Sequence, residues 1–273
     1  MPELPEVETI ARKLRKTIVG KRVARVQLSG LPLRKPVEKR FSQGLRGRTV
    51  LRIHRRGKYM ILELVPRGFC LIHLGMSGRI LFHQGSSMAL KHTHAMIRFS
   101  DETELEYRDQ RRFGWLALYE VSKLGQIPEL RLLGVDPMSA QFTTQWLFGC
   151  LQASRRDIKS FLLDQRKIAG LGNIYVCESL FRAGIHPARH CCSLSEKETS
   201  ELNSAICTVL KSALRHRGTS FSDFIDSDGN PGENQKYLGV YQREGDLCRR
   251  CSSKIRRLPQ GGRSSFFCPR CQN

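Results

Sequence analysis

Apolar positions along the chain fall into three successive patterns. From Leu4, the residues Leu4, Val7, Ile10, Ala11, Leu14 and Ile18 recur at helical spacing, and Gly20 closes the run. That period predicts one amphipathic helix. Between about residues 21 and 120 the pattern shortens to β-rich runs at 50–53, 59–64, 69–73, 79–82, 96–99, 105–107 and 115–119. Gly, Pro, Asp and Ser punctuate them at hairpin-like intervals, notably Arg56-Gly57-Lys58 and Ser100-Asp101, which predicts an antiparallel sandwich or barrel.

After Gln126 the helical period returns, in runs at 143–153 and 157–165, then in a helix that follows the turn Gly170-Leu171-Gly172-Asn173 and extends through Phe181. A longer helix starts at Ser195, where Ser195-x-x-Glu198 has the spacing of a capping box, and runs to about His216. Residues 221–244, containing Asp228-Gly229-Asn230-Pro231-Gly232, read as a long flexible loop. The 273 residues contain no repeat and suit two domains, the first rich in strands and the second helical, an α+β arrangement.

Charge narrows the function. Forty-six Lys and Arg against twenty-five acidic residues give a formal +21, spread along the chain rather than gathered in a tail. Such an excess points to a polyanionic partner, and nucleic acid fits better than a membrane. No run approaches the ~18 apolar residues of a spanning helix, and the N-terminus lacks the apolar core of a signal peptide, so an intracellular location is expected. Six scattered cysteines then read as reduced and structural.

The other four, Cys248, Cys251, Cys268 and Cys271, form two Cys-x2-Cys pairs with the spacing of a four-cysteine zinc site. Disulfides are the alternative, disfavoured by the intracellular reading. Four thiolates leave no open coordination position, so the metal is expected to be structural, and so small a module needs it to fold. Lys254, Arg256, Arg257, Arg263 and Arg270 make this module a basic ribbon expected to lie against phosphate.

The N-terminus offers a different chemistry. Loss of Met1 would leave Pro2 as a free secondary amine beside Glu3 and Glu6. An amine attacks carbonyl-like carbon, and a proline nitrogen gives a charged iminium that acts as an electron sink, with the carboxylates as candidate proton carriers. Pro and Glu equally suit the first turn of an ordinary helix.

This opening, MPELPEVETIARKL, resembles the N-terminus of the formamidopyrimidine-DNA glycosylases, and the similarity extends along nearly the whole chain. His73-Leu74-Gly75-Met76-Ser77-Gly78, Asp109-Gln110-Arg111-Arg112-Phe113-Gly114, Gly170 to Tyr175, and Gln260-Gly261-Gly262-Arg263 with the four cysteines look like that family's landmarks, in its order. The resemblance implies an N-terminal helix and β-sandwich at 1–125, a helix-two-turn-helix domain with a lesion loop at 126–244, and a zinc ribbon at 245–273. It implies base-excision repair of damaged double-stranded DNA by a monomer in the bacterial cytoplasm, with one structural zinc. Oxidised purines would be removed by Pro2 Schiff-base catalysis and the strand cut by β,δ-elimination.

Carried over by residue, Pro2 is the nucleophile on C1′, Glu3 the acid/base, and Lys58 a proton donor or phosphate partner; on spacing alone Lys58 is a solvated turn lysine. Arg263 looks like the family's phosphate-clamping arginine. Asn173 opens a helix whose backbone N–H groups suit a phosphate, while Glu6, His92 and Arg155 fall among the DNA-facing residues. Met76, Arg111 and Phe113 match the residues that fill the gap left by a flipped base, although two of them read equally well as core. Two departures stand out: Gln110 where the family commonly has Pro, and Ser220-Phe221-Ser222-Asp223-Phe224 in place of a more basic segment. Two other readings compete, an endonuclease VIII-type glycosylase for oxidised pyrimidines and a non-catalytic zinc-ribbon nucleic-acid-binding protein.

Overall fold

The computed structural model of the protein describes residues 2–273 except Ala89, Ser222 and Asp223, so the departure at 220–224 lies partly outside the described residues. The chain divides into two compact units, Met1–Arg131 with His216–Gln235, and Leu132–Arg215 with Lys236–Asn273.

The first unit opens with α1 (Leu4–Thr17), whose buried residues Leu4, Val7, Ile10, Ala11 and Leu14 are the predicted apolar stripe. Glu3 is its N-cap, and Pro5 sits in the first turn, where a missing N–H costs no hydrogen bond. Eight strands follow: β1 (Val23–Leu28), then after the short α2 (Phe41–Leu45) come β2 (Thr49–Arg56), β3 (Tyr59–Val65), β4 (Phe69–His73), β5 (Gly78–His83), β6 (Thr93–Phe99), β7 (Glu104–Asp109) and β8 (Trp115–Tyr119). A single turn, α3 (Pro128–Arg131), closes this stretch.

The strands form two antiparallel sheets in the orders β1-β6-β7-β5 and β2-β3-β4-β8. Inward residues of both sheets, among them Ile80, Ile97 and Leu105 from one and Ile53, Leu62 and Ile72 from the other, share one buried cluster with α1. This is the expected sandwich. The seven predicted runs are all strands; β1, α2 and α3 were not anticipated. In β1, Arg25 and Gln27 interrupt the apolar residues Val23, Val26 and Leu28 and mask a short strand.

In the second unit, α4 (Thr144–Gln152) is capped by Thr143 Oγ1 accepting from Trp146 N, and α5 (Ile158–Leu163) by Asp157 accepting from Ser160 N. Helix α6 (Asn173–Ala183) follows the Gly-rich turn and ends at Gly184, whose φ of 74° is a left-handed cap. The capping box appears at α7 (Glu196–Arg215): Ser195 N donates to Glu198 Oε2 at 2.8 Å and Glu198 N to Ser195 Oγ at 3.2 Å. A hairpin of β9 (Arg256–Gln260) and β10 (Arg263–Phe267) completes the unit. Among the described residues no helix is long and apolar enough to cross a membrane.

The partition differs from the expected boundaries at two places. Residues 216–235 group with the sandwich instead of the helical domain: Phe224 joins the sandwich core, Phe82 N donates to Ser227 O at 2.8 Å, and Lys13 pairs with Asp226 at 3.6 Å. The ribbon at 245–273 is not a separate body. Cys177 and Phe181 of α6 bury against Val240, Ile255 and Phe266, and Glu178 accepts the backbone N–H groups of Gly239, Val240 and Tyr241 at 2.7 to 2.9 Å. Sequence shows the loop's polarity but not which body it returns to.

Candidate functional site

Pro2 is buried at the start of α1, directly before a pair of buried carboxylates, Glu3 at 3% exposure and Glu6 at 1%. Glu6 Oε2 accepts from Glu3 N at 2.8 Å, the returning half of a capping box, while its Oε1 accepts from Thr219 N at 2.7 Å. One carboxylate therefore ties the helix start to the returning 216–235 segment. The approach is close enough that a Cβ on Gly218, where φ is +82°, would lie 2.8 Å from Glu6 Oε1. Glu6 thus holds the start of α1 against that segment, a contact its sequence spacing did not reveal.

Lys58 occupies the two-residue turn between β2 and β3 and is only 8% exposed, which corrects the solvated-turn alternative. The hairpin is anchored to α1. Arg55 Nε donates to Glu8 Oε2 at 3.0 Å and its Nη1 to Gly57 O at 3.2 Å, while Arg15 Nε donates to Ile53 O at 2.8 Å. Burial would raise the Glu8 pKa, yet Arg15, Arg55 and Arg12 together hold it below the ordinary carboxylate value.

Beside Lys58, His73 stacks on Trp115 with ring centroids 4.5 Å apart, and its Nδ1 accepts from Gly75 N at 3.1 Å. Burial, reinforced by the charges of Lys58 and Arg34, pushes the His73 pKa down to about 4, so the ring is neutral at pH 7.

A second cluster is built on Asp109, which is fully buried at the end of β7. Its Oδ1 accepts from Ser77 Oγ at 2.6 Å and its Oδ2 from Gly114 N at 2.8 Å; Ser77 Oγ in turn accepts from Arg111 N at 3.0 Å. Asp109 O also accepts from His94 Nε2 at 2.9 Å. One carboxylate thereby fixes two neighbouring turns, one bearing Met76 and the other Arg111 and Phe113. The turns touch so closely that a Cβ on Gly75, φ +61°, would fall 2.4 Å from Gly114 N. Met76 is 37% and Phe113 41% exposed, and the Arg111 guanidinium lies 4.7 Å from the Phe113 ring centroid. All three are surface groups, which resolves the alternative that two were core. His92 is half-buried with φ 70°, and its carbonyl accepts from Asp109 N at 3.0 Å.

In the second unit Asn173 begins α6, and its Nδ2 donates to Ser264 O at 2.9 Å, next to Arg263. Lys159, 1% exposed, donates to the same carbonyl at 3.0 Å and to Ser265 Oγ at 2.6 Å. Burial lowers the Lys159 pKa, and the charge of Arg263 adds to this. Arg263 itself is exposed, held at the end of a Gly261-Gly262 turn with φ of 57° and 72°. Arg155 is also exposed, its carbonyl bonded to His190 Nδ1 at 2.9 Å. The bonds of Asp109 to Ser77 and of Lys159 to Ser265 were not legible in the sequence, because they join residues 32 and 106 positions apart.

The sulfurs of Cys248, Cys251, Cys268 and Cys271 all lie within 4.8 Å of one another, with Cys248 to Cys271 at 3.9 Å and Cys251 to Cys268 at 3.4 Å. Tetrahedral zinc with its usual thiolate bonds needs sulfurs about 3.8 Å apart. Arg250 N also points to Cys248 Sγ at 3.4 Å, as a thiolate ligand requires. The cluster fits one structural zinc.

The family model of the formamidopyrimidine-DNA glycosylase N-terminal domain matches residues 1–116, that of the H2TH domain residues 133–224, and that of a zinc finger found in FPG and IleRS residues 245–273. A formamidopyrimidine-DNA glycosylase of Pelotomaculum thermopropionicum is 39% identical over 274 residues, covering 100% of this chain and 99% of the relative. The crystal structure of the MutM (FPG) protein from Thermus thermophilus superposes with a TM-score of 0.88 at 38% identity, over 99% of this chain and 98% of that one. A Lactococcus lactis FPG mutant in complex with Fapy-dG-containing DNA gives 0.91 at 33% identity, over 100% of both chains.

Proposed function

Because the chain belongs to the formamidopyrimidine-DNA glycosylase family, we propose that it excises oxidised purines, 8-oxoguanine and formamidopyrimidines, from duplex DNA and then cuts the strand at the abasic site. It acts as a monomer in the bacterial cytoplasm. The Lactococcus lactis complex with Fapy-dG DNA supports this substrate class. The observation that carries the chemistry is Pro2 buried at the head of α1 with Glu3 and the doubly bonded Glu6 behind it.

With Met1 removed, the Pro2 nitrogen attacks C1′ of the extruded nucleotide and displaces the damaged base, which leaves with a proton. Glu3 supplies and removes protons as the sugar ring opens. The resulting iminium acidifies the C2′ protons; loss of one drives elimination of the 3′ phosphate, and a second elimination releases the 5′ phosphate. Arg263 holds phosphate, and Lys58 is a proton donor or phosphate partner at these steps. Neutral His73 keeps a second positive charge away from Lys58. His92, Arg155 and the first turn of α6 at Asn173 bind the backbone, while Met76, Arg111 and Phe113 occupy the space vacated by the flipped base. The four-cysteine zinc holds the ribbon and takes no part in bond breaking.

Borohydride reduction in the presence of lesion-bearing duplex tests the assignment. The protein should become covalently trapped, while retention of Met1 or the Pro2→Ala substitution should abolish trapping and leave DNA binding largely intact. Undiminished trapping by the Met1-retaining form would move the nucleophile to Lys58.

A further inference from the structure

Helix α1 grips the returning 216–235 segment at a second point, apart from Glu6. Lys13 lies two turns beyond Glu6 along the same face of the helix. Its Nζ stands 3.6 Å from Asp226 Oδ2 and also pairs with Asp228. Asp226 is buried and is itself the centre of a turn: its Oδ1 accepts from Asp228 N and Asn230 N, both at 2.9 Å, and its own N donates to Asn230 O at 2.8 Å. The second carboxylate oxygen is the one that meets Lys13. A pair with one buried partner differs from the rim pairs of this basic chain, such as Arg98 with Glu102, whose worth is small.

Between these anchors the chain runs from Thr219, bonded to Glu6, to Asp226, bonded to Lys13, and it carries Phe221, an exposed aromatic. Ser220 Oγ draws the two limbs together, donating to Phe224 O at 2.6 Å and accepting from Gly232 N at 2.8 Å. A stretch pinned at both ends to the helix that Pro2 precedes cannot slide past the reactive end. Whatever it presents is therefore held in one register to a nucleotide bound there. An exposed aromatic ring suits the face of a base and has little to offer a sugar.

We propose that Lys13 is a positioning residue for the damaged base. On the glycosylase reading above, its ammonium, shared by Asp226 and Asp228, fixes the far limb of this stretch so that Phe221 meets the base of the extruded nucleotide while Pro2 attacks C1′. Lys13 touches neither base nor sugar and acts only through the loop it holds. The two halves of the reaction then differ in their need for it. Excision of a damaged base requires the loop in place, whereas elimination at a site that has already lost its base does not.

Single-turnover rates of the full-length protein on two duplexes test this, one duplex holding 8-oxoguanine and the other a preformed abasic site. Lys13→Met keeps an apolar stem and removes the charge; it should slow excision about tenfold or more and leave strand cleavage at the abasic site unchanged. Lys13→Arg, which keeps the charge, should restore excision. Asp228→Asn should slow excision in the same selective way, and adding it to Lys13→Met should cost nothing further, as expected of two partners in one contact. The proposal is overturned if Lys13→Met excises at the wild-type rate. It is equally overturned if both rates fall together, as they would were Lys13 a phosphate contact or only a staple for the fold. A wild-type protein inactive on both duplexes would instead reject the glycosylase reading on which this role rests.

Discussion

The proposed role of Arg111 joins a fixed position to a test of selectivity. Its backbone is pinned through Ser77 to Asp109 and its guanidinium packs over Phe113. A planar fork of donors with no acceptor satisfies the acceptor-bearing edge of an orphaned cytosine and matches adenine poorly. Oxidised guanine should therefore be excised much faster opposite cytosine than opposite adenine. Losing such a base contact is worth roughly 1–3 kcal/mol, so Arg111→Ala should slow excision opposite cytosine about tenfold or more and flatten the preference. Single-turnover rates on the two duplexes decide it, and an unchanged preference would assign the reading to another residue.

His73 makes a prediction about pH. Its folded pKa of about 4 lies below the 6.5 of a free imidazole. Between those values the unfolded chain binds the extra proton, so His73 contributes its full stability above pH 6.5 and loses it as the pH falls toward 4. The loss is on the order of 3 kcal/mol. Denaturant unfolding at pH 7 and pH 5 should show a steeper decline for the wild type than for His73→Gln; equal slopes would remove His73 from the account. Neither this histidine nor the burial of Lys58 was legible in sequence, because both depend on Trp115 and on a hairpin packed against a distant helix. The candidate carboxylates and cysteines were legible, because their chemistry rests on local spacing.

At the scale of elements, reading succeeded where the pattern was long or the turn chemistry distinct. Helix α1 and helix α7 follow their apolar stripes, and α7 begins at the predicted capping box. Strand β1 failed because its six residues alternate imperfectly, with a register shift between Val23 and Arg25. The hairpin β9-β10 depends on more than its strands, since the cysteine cluster and α6 share its buried contacts. Cys268→Ser should lose the metal and weaken DNA binding, while the sandwich unit still unfolds cooperatively. Metal content by atomic absorption is the check, and an undiminished zinc stoichiometry would count against the four-cysteine ligand set.

For the whole molecule, the +21 charge is the property that acts without reference to any one contact. Both units present exposed basic groups, Arg111 and Arg112 in the first and Arg155, Arg263 and Arg270 in the second. If these meet phosphates, the logarithm of affinity for undamaged duplex falls linearly with the logarithm of salt, with a slope of about −0.9 per phosphate neutralised. A flat response between low and moderate salt would show that the charge serves another purpose. Composition revealed this polyanion preference at once, but it could not reveal which arginines are already occupied by carboxylates, as Arg55 is by Glu8.

The return of residues 216–235 to the sandwich has a consequence for how the protein is made. Ribosomes deliver α1 before residues 216–235, yet the N–H group that satisfies Glu6 Oε1 belongs to Thr219, and Phe224 completes the same core. The helix that Pro2 precedes is thus completed by a residue 213 positions further along the chain than Glu6. A nascent chain stopped before this segment carries its glutamate pair incompletely bonded, so the whole second-unit helical stretch must emerge before that end of the sandwich can close. Closure of that end is thereby deferred until residues 216–235 have emerged, and a fragment cut at Arg131 is an unfinished body.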